Sequence, residues 1–280
     1  MGTWPLSRQD PVDGSQRVLL RMASDSAPVG HYKFTASERR QLLFDIASDD
    51  PRAALLSTAS EPKKTEVAVA ATIVSTPVRE SAERRYTAYW LGFRRGGSDG
   101  QGLSAAQWDS IFQKTGRRAV LRFTPLGQAV GVEVGSEAVR PVGQALGDIL
   151  SGLAMGLPPD SVVPGDTWEN RIALALRMPD GSRRLTPIHV NYRLRELREE
   201  ADGVIAHIEF DGQLIEEQES DEAALRGRYF GESLFSPRDG RYEQVMAVAN
   251  LELDWNDPTG LPPARLVVEW QAVMDRSQGG

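Results

Sequence analysis

The amino-acid sequence predicts a mainly β protein of the α+β class, in which long antiparallel strands surround one central amphipathic helix. Two observations carry this prediction. Apolar and polar residues alternate over long stretches on both sides of the midpoint of the chain, which is the period of half-buried strands. The clearest helical period of the chain lies between those two sets of strands, in residues 137–154.

Residues 31–46 form the first predicted strand. Tyr32 and Phe34 fall on one face, and polar residues occupy the positions between the apolar ones. A helix capped by Thr35, with Glu38 three residues later, is the rival interpretation of this stretch.

The elements that follow are a short helical turn after Asp50-Pro51, a loop over 58–65, a strand from Val67, its partner strand over 84–93, an exposed loop over 94–102, and a helix that Ser104 and Gln107 cap and Gly116 ends.

A repeated pattern predicts one hairpin in each half of the chain. Residues 120–134 read as strand, turn and strand, and residues 233–248 read the same way. Both turns contain Pro followed by Gly, which suits the dihedral angles of a tight bend. A duplicated β unit and a chance similarity explain this pattern equally well.

The predicted central helix begins after its cap, Ser136, and covers residues 137–154. The apolar side chains that form one stripe along it are Val139, Val142, Leu146, Ile149, Leu150 and Leu153. The stretch LPPDSVVPGDTW, residues 157–168, ends the helix because proline cannot continue it. We interpret this stretch as a structural hinge, with Trp168 packed on the core, in preference to an active-site loop.

The expected organisation is a polar N-terminal arm, residues 1–16, followed by a single β-rich domain, residues 17–280. The domain has two halves, about 17–135 and 169–275, which helix 137–154 and hinge 157–168 join. The alternative is a pair of smaller β domains that meet at the hinge.

A polar cluster is the strongest candidate for chemistry. His207, Glu209 and Asp211 alternate along one predicted strand and therefore share a face. A three-residue hairpin loop at 201–203 would place Arg195 opposite Glu209 and Arg193 opposite Asp211. Two neighbouring arginines make a poor cation site, so the cluster is interpreted as a solvated sheet face.

Other features exclude several classes of function. The chain has no cysteine, and it shows no nucleophile elbow, phosphate-binding loop or zinc-protease motif. A net charge of −7 without a basic stripe argues against nucleic acid as a partner. No window is long and apolar enough for a transmembrane segment. We therefore expect no catalytic residues, no metal and no cofactor.

Two stretches carry a resemblance to a known group of proteins. Leu19-Leu-Arg, followed by Gly30-His-Tyr-Lys-Phe, resembles the opening strand of a family of uncharacterised exported bacterial β-rich proteins. Residues 157–168 are similar to the mid-chain Pro…Gly-Asp-x-Trp motif of that family. The resemblance covers most of the chain in outline and implies export and architecture, not an activity. The family is often lipid-anchored through an N-terminal Cys, which this chain does not have.

Proteins of that family look like the periplasmic lipoprotein carriers in shape, a likeness at the level of the fold. In such a half-barrel, a strongly curved and unclosed antiparallel sheet cups a helix and an apolar cavity. The resemblance therefore implies a half-barrel with helix 137–154 packed on its concave face.

The expected function is that of an exported, noncatalytic binding protein for an apolar ligand such as a lipid or an acyl chain. The expected location is periplasmic or secreted, with the signal peptide absent from this chain. The alternatives are an envelope assembly or protein-interaction module, and a hydrolase that acts through Glu209 and Asp211. The candidate lining residues of the cavity are Leu146, Ile149, Leu150, Leu153, Trp90 and Trp270. A dry core, in which the helix and the sheet pack without a cavity, is the competing interpretation of these six residues.

Overall fold

The structure is a computed structural model, and it describes residues 17–22, 30–47, 49–76, 83–97, 104–153, 155–178, 182–214, 225–255 and 262–277. The strands are β1 (Gly30–Phe44), β2 (Lys63–Thr76), β3 (Arg84–Gly97), β4 (Arg118–Phe123), β5 (Ala129–Val134), β6 (Thr167–Arg177), β7 (Arg183–Glu200), β8 (Gly203–Leu214), β9 (Leu225–Ser236), β10 (Arg241–Trp255) and β11 (Ala264–Ser277). The helices are α1 (Ala53–Ala59), α2 (Ala105–Thr115) and α3 (Arg140–Gly152).

All eleven strands belong to one antiparallel sheet. Their spatial order is β5-β4-β3-β2-β1-β11-β10-β9-β8-β7-β6, so the first and last strands of the chain pair at the centre. The two edge strands, β5 and β6, do not pair with each other, and the sheet stays open. Helix α3 contacts both edge strands and also the central strand β1. The predicted fold class, a mainly β half-barrel around a central helix, is confirmed.

Alternation along the strands separates a concave, core-forming face from an outer face. On β1, Tyr32 and Phe34 are buried, and Phe34 lies opposite Met274 of β11 and Val69 of β2. These residues belong to one continuous apolar core. Such burial is the main stabilising contribution to a sheet of this kind, at about 25 cal/mol per Å² of apolar surface.

Helix α3 packs its apolar stripe into the concave face, as the sequence predicts. All six predicted stripe residues are buried. The predicted boundaries 137–154 were wrong in detail, since a single 3₁₀ turn, Glu137–Val139, precedes the α-helix and the helix ends at Gly152. Ser136 caps the 3₁₀ turn, and its hydroxyl accepts a hydrogen bond from the backbone N–H of Ala138 at 3.3 Å.

The hinge 157–168 packs against the N-terminal segment 17–22 at one end of the half-barrel. The backbones of Val18 and Val162 exchange two hydrogen bonds of 2.9 Å, and the Arg21 guanidinium donates to the carbonyls of Pro158 and Pro159. The buried Trp168 stacks on Tyr192, with ring centroids 5.5 Å apart, and its indole N–H donates to the Gly156 carbonyl. The predicted packing of Trp168 on the core is confirmed.

Two local expectations were wrong, and two others fall wholly or partly outside the described residues. The first strand ends at Phe44 rather than at residue 46, because Asp45 already bonds to the chain before β11. The predicted loop 58–65 is shorter, since α1 extends to Ala59 and β2 begins at Lys63. The predicted arm 1–16 and residues 98–102 of the predicted loop lie outside the described residues.

The hairpin between β7 and β8 has a register that differs from the predicted one. Glu200 lies opposite Gly203, so the loop has two residues, and an irregularity between Leu194 and Glu196 shifts the later pairs. Arg193 consequently faces Glu209 instead of Asp211. The irregularity restores the apolar pairing on the concave face, which a two-residue loop alone would have reversed.

Candidate functional site

The predicted polar cluster on β8 is only partly a solvated face. His207 is buried, and its Nε2 lies 3.0 Å from a carboxylate oxygen of Glu232. The Arg195 guanidinium pairs with Glu209, as expected, while Asp211 is exposed. The interpretation was therefore wrong for His207, which Glu232 and the residues of the neighbouring β7 cover. Among the described residues, no group of three or more His, Asp or Glu is placed to hold a metal ion.

The six predicted lining residues divide into two groups. Leu146, Leu150, Leu153 and Trp90 are buried in the packed core. Ile149 and Trp270 line a cavity of about 190 Å³ between α3 and the concave face. The structure thus brings two of the six predicted residues together in one cavity.

The cavity has an apolar floor that comes from three parts of the fold. Ile149 and Ala145 project from α3, Trp270 from β11 and Leu176 from β6. Strands β1 and β2 add Ala36 and other small side chains to the walls of the cavity. A cavity of about 150 Å³ can hold a benzene ring, so this one has room for a short apolar group.

Charged side chains surround the mouth of the cavity, and we call this set the charged rim. Its members are Glu38 and Arg40 of β1, Arg95 of β3, Asp148 of α3, Arg177 of β6 and Arg183 of β7. Arg40 Nε lies 2.6 Å from a Glu38 carboxylate oxygen, and Arg183 pairs with Asp148. Both side chains of the Glu38–Arg40 pair are only 17% exposed, so water screens this pair less than a surface ion pair.

The strand geometry explains how β1 contributes to the rim. Glu38 lies on the same concave face as Tyr32 and Phe34, with Trp270 of β11 opposite on one side and Thr65 of β2 on the other. An apolar face therefore becomes polar halfway along β1.

A β-bulge brings Arg95 to the rim from β3. The register between β2 and β3 shifts between Ala70 and Ala71. The shift places Phe93 and Arg95 on the side that faces the core, opposite Val69 and Val67. Bulges commonly redirect side chains in this way next to functional sites.

Burial raises the pKa of both carboxylates of the charged rim, Glu38 and Asp148. Desolvation raises the pKa of Glu38, an effect that Arg40 and Arg177 oppose and that Asp148 strengthens. Desolvation also raises the pKa of Asp148, against the lowering influence of Arg183, Arg177 and Arg95. Carboxylates with pKa values raised by burial are typical of functional sites, although structural networks show them as well.

An outer groove leads to the charged rim. It lies between β5 and α3, has a volume of about 360 Å³, and includes Val132, Val134 and Gly143. Gln144, Asp148 and Arg183 line both the groove and the cavity. The Asp148–Arg183 ion pair therefore stands where the groove and the cavity meet.

Sequence reasoning missed the charged rim because its members come from five separate elements. Glu38 and Arg40 were visible as two charged residues on the apolar face of the first strand, and this is the one local signal for the site.

A comparison with protein-family models finds none that matches this chain, and a comparison with curated protein sequences finds none similar enough to assign a relative. No helix in the described part of the chain is both long and apolar enough to span a membrane.

Proposed function

We propose that this protein is a noncatalytic binding protein, exported to the periplasm or cell envelope, whose concave cavity takes a small molecule with an apolar group. The observation that carries the proposal is the cavity between α3 and the sheet, with Ile149, Trp270 and Leu176 in its walls. Concave, mostly apolar sites with a few polar groups are where proteins usually bind small molecules.

The volume of the cavity limits the size of the apolar part of the ligand. Pockets for drug-sized molecules measure about 300–1,000 Å³, and the cavity of about 190 Å³ is smaller. The apolar part of the ligand is accordingly a short acyl chain or a small ring rather than a whole lipid. Leu146, Leu150 and Leu153 act as core residues that hold α3 in place behind the cavity.

Native mass spectrometry of the protein purified from its natural source, followed by organic extraction, tests this function. The wild type is expected to release a small apolar molecule. Ala145→Leu fills the cavity and is expected to abolish the co-purified mass, because Ala145 lies in the cavity wall. Ala106→Leu is the matched control, since Ala106 is exposed on α2.

A wild-type preparation without any bound molecule, together with no binding of added 1-hexanol, hexanoate or hexylamine, would contradict the proposal. The alternative function, an envelope assembly or interaction module, would then be favoured. The cavity between α3 and the sheet is why we favour ligand binding over the addition of a partner strand.

A further inference from the structure

The charged rim contains more positive than negative charge, although the whole chain carries a net charge of −7. Four guanidinium groups, those of Arg40, Arg95, Arg177 and Arg183, stand against the two carboxylates of Glu38 and Asp148. A cleft of one sign with low-dielectric walls concentrates ligands of the opposite sign. This excess of positive charge therefore favours the binding of an anion at the mouth of the cavity.

Two of the four guanidinium groups have no ionic partner among the described residues. Arg40 pairs with Glu38, and Arg183 pairs with Asp148. Arg95 and Arg177 make no ion pair or side-chain hydrogen bond within the described part of the chain, although both influence the Asp148 carboxylate electrostatically. Both line the cavity.

The opposite end of the half-barrel provides a comparison. There, Arg241 and Arg276 both bind Glu243, at 2.9 Å and 2.8 Å, and Arg241 also binds Asp239 at 2.7 Å. Each arginine of that cluster has a carboxylate partner within the protein. Other arginines, among them Arg94 and Arg171, also make no ion pair in the described part of the chain, so what distinguishes Arg95 and Arg177 is that both line the cavity.

We propose that the ligand of the cavity is a small amphipathic anion, an organic carboxylate with a short apolar chain, whose charged group binds between Arg95 and Arg177. A carboxylate matches the planar fork of guanidinium donors, and the apolar chain would then extend towards Ile149 and Trp270. This inference rests on the proposed function, because it names the class of ligand for the same cavity.

A matched set of probes tests the charge of the ligand. Isothermal titration calorimetry compares hexanoate, 1-hexanol and hexylamine, which share one apolar chain and differ in charge. We expect hexanoate to bind at least tenfold more tightly than 1-hexanol, which corresponds to about 1.4 kcal/mol, and hexylamine to bind more weakly than either. Equal affinities for hexanoate and 1-hexanol overturn the inference and leave the proposed function standing, whereas no binding by any of the three overturns both.

Arginine variants test the location of the anion. Arg95→Gln and Arg177→Gln are each expected to remove most of the preference for hexanoate over 1-hexanol while leaving the affinity for 1-hexanol unchanged. Arg94→Gln is the control, because it removes the same charge from the next residue, which is exposed on the outer face. Retention of 1-hexanol binding verifies that each variant is folded, and a preference for hexanoate that survives Arg95→Gln combined with Arg177→Gln refutes the assigned site.

Discussion

Glu38 lies where the concave face of β1 changes from apolar to charged. Its side chain is mostly buried and carries an ion pair with Arg40. Desolvation nevertheless raises its pKa above the ordinary value of 4.5. The ionised carboxylate therefore costs folding free energy that a neutral side chain would not cost. A residue that costs stability at the mouth of a cavity is consistent with a role in binding.

The free-energy cost of burying the ionised Glu38 carboxylate depends on pH in a definite direction. A folded-state pKa above the unfolded value means that the contribution of Glu38 to stability is fully present below about pH 4.5. That contribution is lost as the pH rises through the higher folded-state value. The unfolding free energy of the wild type minus that of Glu38→Gln is therefore expected to fall with rising pH, as urea unfolding at a series of values between about pH 4 and pH 8 would measure.

Glu66→Gln is the control for this prediction. Glu66 is exposed on β2, and its hydrogen bond and ion pair with Lys64 lower its pKa. Its contribution to stability is present above the unfolded pKa and is lost as the pH falls. When the unfolding free energy of the wild type minus that of the variant is plotted against pH, the two variants are thus expected to give slopes of opposite sign. A flat slope for Glu38→Gln, or one with the sign of Glu66→Gln, would show that the environment of Glu38 differs from the one described.

At the scale of the elements, the close approach of α3 to the sheet depends on Gly152. A Cβ atom at this position would lie 2.6 Å from two ring carbons of Trp270 and 3.0 Å from Leu174. The Gly152 carbonyl also accepts a hydrogen bond of 2.6 Å from the Tyr229 hydroxyl. The end of the helix is thereby fixed against the aromatic ring that lines the cavity.

Gly152→Ala is expected to destabilise the protein by about 1–3 kcal/mol, because the helix or Trp270 has to move to make room. Gly147→Ala, on the same helix, is expected to be neutral or to stabilise by about 0.5–1 kcal/mol, since alanine favours the helix. A Cβ atom there would lie 3.7 Å from Val132, which is an ordinary contact. Thermal and urea unfolding measure both effects, and equal effects of the two substitutions would contradict the described packing.

The elements that could be predicted from the sequence are those with a regular period or a defined cap. The alternation around Tyr32 and Phe34 indicates β1, and the stripe that includes Leu146 and Leu150 indicates α3. The capping box of Ser104 and Gln107 is present as predicted. Local patterns of this kind require no knowledge of the partner strands.

The candidate site could not be predicted in the same way, because register and bulges determine it. Arg95 reaches the rim only through the shift between β2 and β3, and Trp270 lies beside Glu38 only because β11 pairs with β1. The same limitation produced the wrong register in the hairpin of β7 and β8, where the irregularity before Glu196 has no turn residue that signals it. Pairings between distant parts of a chain leave little trace in a single sequence.

At the scale of the whole molecule, the two halves of the chain depend on each other. The central pair of the sheet joins β1 of the first half to β11 of the second along almost their full lengths, from His31 opposite Ser277 to Phe44 opposite Ala264. Helix α3 contacts β5 of the first half and β6 of the second. The cavity takes its walls from both halves, so an intact site requires the complete sheet.

This arrangement predicts a single cooperative unfolding transition, with far-UV circular dichroism and tryptophan fluorescence giving the same urea midpoint. Leu121→Ala in β4 and Leu194→Ala in β7 each remove a fully buried side chain from a different half. Each is expected to lower the one shared transition by about 2–5 kcal/mol. Two smaller domains joined at 157–168 would instead show two transitions, with each substitution moving only its own. Coincident shifts would mean that a ligand of the cavity stabilises the whole sheet, so that the anion we propose would raise the midpoint detected by both probes alike.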